Sequence, residues 1–250
     1  MRRDLLPTPL NQEYQKQLRS VTASDVELTP QQTAAFDVYL RLLIAEAPAA
    51  NLTSLRDPEA IRRRHFAESI ALLEAIERQG ALVSPVIDVG AGAGFPGVPM
   101  KIMRPELHLT LLEATAKKTA FLERLVRSLG LSGVSVVNGR AEEIARTPDH
   151  RDAYGLAVAR AVAPLRVLVE LALPFVRVGG YLAAQKGSSV EREVREAGRA
   201  IRECGGEIAS VERFQTPGAA HEPSLVLIRK VSATPQRYPR RPGIPGKRPL

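Results

Sequence analysis

The spacing of apolar residues divides the chain into a helical first part and a second part in which short apolar runs alternate with helical periods. Between residues 29 and 80 the apolar positions recur every three or four residues, which indicates two amphipathic helices. The first begins at a capping box, Thr29-Pro30-Gln31-Gln32, and the second at Asp57-Pro58-Glu59. The sequence predicts that these helices end at Pro48 and Gly80.

From residue 86 onward the pattern is typical of a parallel sheet covered by helices. The predicted parallel strands are residues 86–90, 107–113, 134–138, 156–161 and 181–186. The predicted helices are residues 96–103, 116–129, 141–146, 164–176 and 190–204. Two further extended runs, 207–214 and 225–231, are joined by a loop too short for a helix, so we expect an antiparallel hairpin. The predicted fold class is α/β: a Rossmann-like, seven-stranded sheet with an N-terminal helical layer.

These patterns divide the chain into four segments. Residues 1–28 are polar and weakly patterned, and we expect a loosely ordered extension or a short leading helix. Residues 29–82 form the helical layer and residues 83–232 the α/β domain. Residues 233–250 contain five prolines, so we expect this tail to be extended and outside the core.

The segment with the clearest chemistry runs from Val86 to Gly97, where a buried strand leads into a turn with four glycines. Such loops bind nucleotides, because helix-terminal N–H groups are free and no side chains obstruct the backbone. Residues 92–97 satisfy G-x-G-x-x-G, which makes an NAD-dependent oxidoreductase one interpretation. However, Asp88 would repel a pyrophosphate and attract a cation. Together with the terminal hairpin, this favours S-adenosylmethionine (SAM), which carries a sulfonium and an ammonium group.

Other polar residues follow the carboxyl ends of the predicted strands, where open α/β sheets bind ligands. Glu113 could accept both ribose hydroxyls of a nucleotide, and the backbone of residues 139–143 could contact an adenine. Arg160 and Lys186 end the fourth and fifth strands, which suits an anionic substrate such as a phosphodiester. For Arg160, a structural salt bridge at the sheet edge is an equally good interpretation.

Charge is concentrated at the end of the chain. The formal net charge is +8, and five cations with no acid lie in the last twenty residues, which leaves 30 basic and 27 acidic residues elsewhere. This distribution predicts a polyanionic partner, with a solvated, disordered tail as the alternative. A single cysteine, Cys204, fits a reducing compartment, and the sequence contains no uninterrupted apolar run of 18 residues. We therefore expect a cytoplasmic protein without a membrane partner.

Taken together, these segments resemble the bacterial 16S ribosomal RNA guanine-N7 methyltransferase family (RsmG, also called GidB, glucose-inhibited division protein B). The matching motifs, in chain order, are Asn51-Leu52-Thr53, His65-Phe66-Ala67-Glu68-Ser69, Asp88 to Gly97, Glu113 to Lys118, Gly139-Arg140-Ala141-Glu142, Arg160 to Leu165, Lys186-Gly187 and Tyr238 to Gly243. The resemblance covers residues 35 to 250. The family often has an aspartate where this chain has Glu68.

The resemblance implies a class I SAM-dependent methyltransferase that modifies N7 of a guanine in the decoding-region loop of 16S ribosomal RNA. The candidate SAM-binding residues are Asp88, Gly90, Gly92, Gly94, Phe95, Glu113, Ala114, Thr115, Ala141, Glu142 and Arg160. The candidate RNA-binding residues are Arg64, His65, Lys186, Arg240 and Arg241. For His65 a structural role, and for the run from Arg62 to Arg64 a solvated face, are the competing interpretations.

Guanine N7 has a free lone pair and no proton to lose, so methyl transfer requires orientation and no general base. The sequence accordingly lacks the Asn-Pro-Pro-Tyr or Asp-Pro-Pro-Tyr box of amino-directed methyltransferases and a cysteine at a strand end. We name no catalytic base and no metal ligand. The expected partner is 16S ribosomal RNA, within the small ribosomal subunit or an assembly intermediate, and the expected state is a monomer. A non-catalytic RNA-binding protein that retains the fold is the other alternative.

Overall fold

The computed structural model describes residues 27–216 and 222–250. Residues 1–26 of the predicted N-terminal extension therefore lie outside the described residues. The helices are α1 (Pro30–Ala50), α2 (Pro58–Ile61), α3 (Glu68–Arg78), α4 (Gly97–Met103), α5 (Ala116–Ser128), α6 (Ala141–Ile144), α7 (Leu165–Ala172), α8 (Val190–Glu203) and α9 (Ile244–Lys247). A π-helical turn (Arg62–Ala67) joins α2 to α3. The strands are β1 (Val86–Val89), β2 (Leu109–Glu113), β3 (Val134–Asn138), β4 (Tyr154–Arg160), β5 (Val176–Lys186), β6 (Gly206–Arg213) and β7 (Ser224–Lys230).

The sheet has the strand order β3-β2-β1-β4-β5-β7-β6. Strands β1 to β5 pair in parallel, and β7 pairs antiparallel with both β5 and β6. The predicted α/β class, with five parallel strands and a terminal hairpin, is therefore confirmed. The strand order reverses between β1 and β4, and in open α/β sheets ligands bind in the crevice at such a reversal.

Element boundaries differ from the prediction in a few places. The capping box at Thr29 is present, but α1 continues through Pro48 to Ala50 and ends at Asn51 in a left-handed conformation. Strand β5 begins at Val176, five residues earlier than predicted, because Val176 pairs with Tyr154 across an irregularity in the register. The helix predicted for residues 164–176 consequently ends at Ala172 and is followed by a short 3-10 turn.

The N-terminal helices pack on one face of the sheet and help to hold the glycine turn. Phe36, Tyr39 and Phe66 are buried, and the Phe66 ring is in aromatic contact with the rings of Phe36 and Tyr39. The Tyr39 hydroxyl donates a hydrogen bond of 2.6 Å to the carbonyl oxygen of Ala93, inside the turn. Helices α7 and α8 cover the opposite face, where a second apolar cluster is buried. In the described ranges, no helix is long and apolar enough to cross a membrane.

The C-terminal tail packs against the domain, so the prediction that residues 233–250 lie outside the core is wrong. Tyr238 is buried in the apolar cluster on the side of α7 and α8. Arg151 donates to the carbonyl oxygens of Thr234 and Tyr238 at 2.7 and 3.0 Å, and Arg146 donates to that of Pro239 at 2.5 Å. Proline composition could not predict this, because the donors that satisfy the tail carbonyls come from distant arginines.

Candidate active site

A cavity of about 1280 Å³ opens at the carboxyl ends of the five parallel strands. It brings together twelve of the sixteen candidate site residues: Arg64, His65, Gly90, Gly92, Phe95, Glu113, Ala114, Thr115, Ala141, Glu142, Arg160 and Lys186. Asp88, Gly94, Arg240 and Arg241 do not line it. We call the part near Gly90, Gly92, Glu113 and Glu142 the glycine side, and the part near His65, Glu68, Arg160 and Gln185 the arginine side.

The glycine turn needs its glycines for two different reasons. Gly90 has φ +76°, and a Cβ there would lie 2.9 Å from Val162 at the cavity wall. Gly94 has φ +99° and faces the N-terminal helices, where a Cβ would lie 2.7 Å from the Tyr39 hydroxyl oxygen. L-residues rarely adopt this left-handed backbone conformation. Gly90 thus allows close packing on Val162 at the cavity wall, and Gly94 allows close packing on Tyr39 behind the turn.

Asp88 lies beneath the turn and supports it. Its carboxyl group is fully buried, and Oδ2 accepts a hydrogen bond of 2.8 Å from the backbone N–H of Gly97. Burial raises the pKa of Asp88 to about 7. Neither Asp88 nor Gly94 lines the cavity, and both support the turn; their predicted contacts with a cofactor stay predictions.

Glu113 connects two segments of the glycine side. Its Oε2 accepts from the N–H of Gly92 at 3.0 Å, and its Oε1 accepts from the N–H of Thr115 at 2.8 Å. The carboxylate therefore holds the glycine turn against the end of β2 while facing the cavity. Its predicted contact with ribose hydroxyls stays a prediction.

Glu142 joins the same side of the cavity to the C-terminal tail. Its Oε1 accepts from the N–H of Gly243 and from Arg140, both at 3.1 Å. Burial raises the pKa of Glu142, but hydrogen bonds from its own backbone N–H, from Gly243 and from Arg140, together with the Arg140 charge, outweigh it, and the pKa lies below its usual value. Gly243, Pro245 and Gly246 also line the cavity. The tail is thus part of the site wall, a role that its motif alone did not predict.

On the arginine side, three side chains form a stack. The His65 ring lies 4.6 Å from the Phe95 ring, and the Arg160 guanidinium lies 4.8 Å from the centre of that ring. Arg160 donates to the carbonyl oxygen of Arg64 at 3.2 Å, and Thr53 hydrogen-bonds to His65 at 2.8 Å. Burial, followed by the Arg160 charge, lowers the pKa of His65 to about 3. His65 is therefore neutral near pH 7 and offers no cation to a phosphate.

The remaining candidate cations differ in availability. Lys186 donates to the carbonyl oxygen of Ala163 at 2.6 Å and pairs with Glu193 at 3.0 Å, at the cavity edge. Arg240 is held by Glu170 in an internal ion pair, and its predicted contact with RNA stays a prediction. Arg241 is exposed.

Sequence reasoning missed two residues of the arginine side. Thr53 binds His65, and Gln185 binds Glu68. The sequence contains a signal for both. Thr53 ends the motif Asn51-Leu52-Thr53, and Gln185 directly precedes Lys186 at a strand end.

Comparison with known proteins agrees with this geometry. The family model described as rRNA small subunit methyltransferase G matches residues 32–223. The chain is 45% identical over 233 residues to ribosomal RNA small subunit methyltransferase G of Roseiflexus castenholzii, covering 93% of this chain and 98% of that one. It is 44% identical over 225 residues to the protein of the same name from Moorella thermoacetica, covering 90% and 93%.

A solved structure shows the same fold at low identity. It is a geranyl diphosphate methyltransferase in complex with GPP and sinefungin, with a TM-score of 0.54 and 17% identity. The match covers 82% of this chain and 100% of that chain. The predicted class I methyltransferase fold is thereby confirmed. Because the family model and full-length relatives agree, the chain belongs to the rRNA small subunit methyltransferase G family.

Proposed function

We propose that this member of a small-subunit rRNA methyltransferase family transfers the methyl group of SAM to N7 of a guanine in the decoding-region loop of 16S ribosomal RNA. SAM as the cofactor is confirmed by the methyltransferase family and fold. The observation that carries the proposal is the two-sided cavity. Its glycine side offers backbone and carboxylate groups to a cationic nucleoside, and its arginine side offers aromatic and cationic groups to a flipped-out nucleotide.

The residues present fit SAM. Gly90 and Gly92 line the cavity without side chains, and a Cβ at Gly92 would meet only the Gly90 carbonyl oxygen at 3.8 Å, so a ligand can approach the backbone of the turn. Glu113 and Glu142 place negative charge beside that space, which suits a cationic cofactor. When bound, SAM supplies an electrophilic methyl group on a sulfonium.

The chain's own task in this reaction is orientation. Guanine N7 attacks through an in-plane lone pair and releases no proton, so no residue has to act as a base. His65 is consistent with this, because its lowered pKa makes it a weak base and its ring is stacked on Phe95 and hydrogen-bonded to Thr53. The Arg160 guanidinium, which lies over the Phe95 ring and lines the cavity, would instead position the base beside the glycine turn.

Of the two alternatives, the NAD-dependent oxidoreductase is set aside, because the family is one of methyltransferases. The other alternative, a non-catalytic RNA-binding protein, is tested by the SAM titration described below. We further propose that the chain acts in the cytoplasm as a monomer, on the small subunit or an assembly intermediate.

The test is transfer of a radiolabelled methyl group from SAM to small ribosomal subunits and to naked 16S ribosomal RNA, both from a strain lacking the enzyme. We expect 7-methylguanosine in the nucleoside digest, and a single stop in primer extension after reductive cleavage. A different methylated nucleoside would overturn the guanine-N7 assignment. Failure to bind SAM in a calorimetric titration would favour the non-catalytic alternative.

A further inference from the structure

Glu68 and Gln185 form a hydrogen-bonded pair on the arginine side of the cavity. Glu68 is the first residue of α3 and follows the π-helical turn, and Gln185 lies next to the end of β5. The Gln185 Nε2 donates to Glu68 Oε2 at 3.1 Å, and both residues line the cavity. The pair therefore joins the helical layer to the sheet at the wall of the cavity.

This pair contains hydrogen-bond acceptors that its own contacts do not use. Gln185 is 8% exposed, and its Oε1 is buried without a hydrogen-bond partner in the described part of the chain. Such a group costs about 1–3 kcal/mol, so it calls for a partner that is not part of the protein. The contacts of Glu68 with Gln185 and with Arg160, at 3.8 Å, both use Oε2. Among residues 27–216 and 222–250, no hydrogen bond to Oε1 of Glu68 is formed beside the one that Oε2 accepts from Gln185.

A protein surface that offers only hydrogen-bond acceptors can distinguish guanine from adenine. The Watson–Crick edge of guanine carries two adjacent donors, N1–H and the N2 amino group, whereas adenine has an unprotonated N1. N7 lies on the other side of the purine. A guanine that presents N1 and N2 to Glu68 would therefore direct N7 away from α3, toward the glycine side where the cofactor binds.

We propose that Glu68, oriented by Gln185, recognises the N1–H and N2 donors of the target guanine. This inference rests on the proposed function. The carboxylate would also favour the reaction itself, because methylation gives the purine ring a positive charge and strengthens N1–H as a donor. An interaction that grows in the transition state raises kcat more than it lowers KM. Burial, partly opposed by Arg160 and Gln185, raises the pKa of Glu68, which indicates a poorly solvated carboxyl group.

The test compares two substrates and four enzymes. After the methylated guanosine has been mapped, small-subunit RNA is ligated with either guanosine or inosine at that position; inosine lacks only the N2 amino group. The enzymes are wild type, Glu68→Gln, Gln185→Met and Glu207→Gln. Glu207 is an exposed carboxylate on the edge strand β6, outside the cavity, and serves as the control. SAM dissociation constants are measured for each enzyme.

We expect wild type and Glu207→Gln to prefer guanosine over inosine by at least roughly 10-fold in kcat/KM. Glu68→Gln should lose roughly 10- to 100-fold in kcat/KM on guanosine, mainly in kcat, and a smaller factor on inosine, which retains only the N1–H donor. Gln185→Met should lose part of the same preference, and SAM binding should stay within about threefold of wild type in all variants.

The inference is overturned if wild type accepts both substrates equally, or if Glu68→Gln loses the same factor on both. A loss of SAM affinity in Glu68→Gln would also overturn it, since the residue would then belong to the cofactor site. The fate of the proposed function is read separately, from whether wild type forms 7-methylguanosine on the guanosine substrate. A wild type that forms it without any effect of Glu68 on the preference would contradict the inference alone.

Discussion

Arg240 and Glu170 form a two-point ion pair that fastens the C-terminal tail to α7. The Arg240 Nε and Nη2 donate to the Glu170 carboxylate at 2.8 and 2.6 Å, and the backbone N–H of Arg240 adds a third hydrogen bond at 2.8 Å. The Glu170 side chain is fully buried, whereas that of Arg240 is 26% exposed. The buried charge of Glu170 is therefore satisfied from the tail, so the tail stabilises the domain on which it packs.

Arg240→Ala should lower the free energy of unfolding by on the order of 3 kcal/mol, because it leaves the Glu170 carboxylate buried and unpaired. Urea denaturation monitored by circular dichroism measures the change.

The matched control is Arg241→Ala, which removes the adjacent but exposed cation. We expect its stability to stay within about 0.5 kcal/mol of wild type. If Arg241 contacts RNA, the salt dependence of RNA binding should become shallower by about one unit of slope. Equal destabilisation by both variants would refute the role of the Arg240 ion pair.

The pattern of apolar and polar residues was sufficient to predict the strands of the sheet, but not to predict which partners the polar side chains contact. Strand β1 was recognised from a short apolar run, and Glu113 from its place at a strand end, and both lie as expected. The charge of Asp88 suggested a contact with a cation, yet its carboxyl group binds Gly97 on the far side of the turn. Periodicity indicates which face is buried, and does not indicate which partner a buried polar group finds.

Partners that are far apart in sequence explain the remaining differences. Arg146 and Pro239 are 93 residues apart, and Glu68 and Gln185 are 117 residues apart. No local propensity encodes such pairs, because they form only when the sheet brings their elements together. Arg240 illustrates the consequence: a motif full of cations indicated RNA, whereas one of those cations neutralises a buried glutamate.

Gly94→Ala should destabilise the protein by at least about 2 kcal/mol. The new Cβ would occupy a left-handed backbone position, at a cost of roughly 1–2 kcal/mol, and would also approach the Tyr39 hydroxyl. Gly198→Ala is the control, since Gly198 lies within α8 and its Cβ would meet only the end of the Arg202 side chain at 3.5 Å. That substitution should stabilise by about 0.5–1 kcal/mol. Thermal unfolding of both variants checks the opposite signs.

His65→Gln should make the protein less sensitive to acid. The folded-state pKa of His65 is about 3 and the unfolded value is 6.5, so between these values the unfolded state binds more protons. Stability from this residue is thus present above pH 6.5 and is lost as the pH falls toward 3. Between pH 7 and pH 5 wild type should lose about 2 kcal/mol more than the variant.

Wild type must be compared with His65→Gln because Asp88 changes the stability in the opposite direction as the pH falls. Its folded-state pKa is raised from 3.8 to about 7, so its contribution to stability declines as the pH rises through that range. This contribution is common to wild type and His65→Gln and cancels in the difference. Identical losses in urea denaturation at pH 7 and pH 5 would show that His65 is protonated in the folded protein.

Glu113→Gln tests whether the glycine side is organised as a cofactor site. An amide has one oxygen in place of two, so either the N–H of Gly92 or that of Thr115 would face an amide NH₂ group. The glycine side would lose one of the two hydrogen bonds that Glu113 accepts at the end of β2, and SAM affinity should fall by roughly 10- to 100-fold. Glu143→Gln, which changes an exposed carboxylate in α6 outside the cavity, should leave the affinity unchanged. If calorimetry shows equal SAM binding for both variants, Glu113 has a structural role only, and the ribose contact predicted for it is wrong.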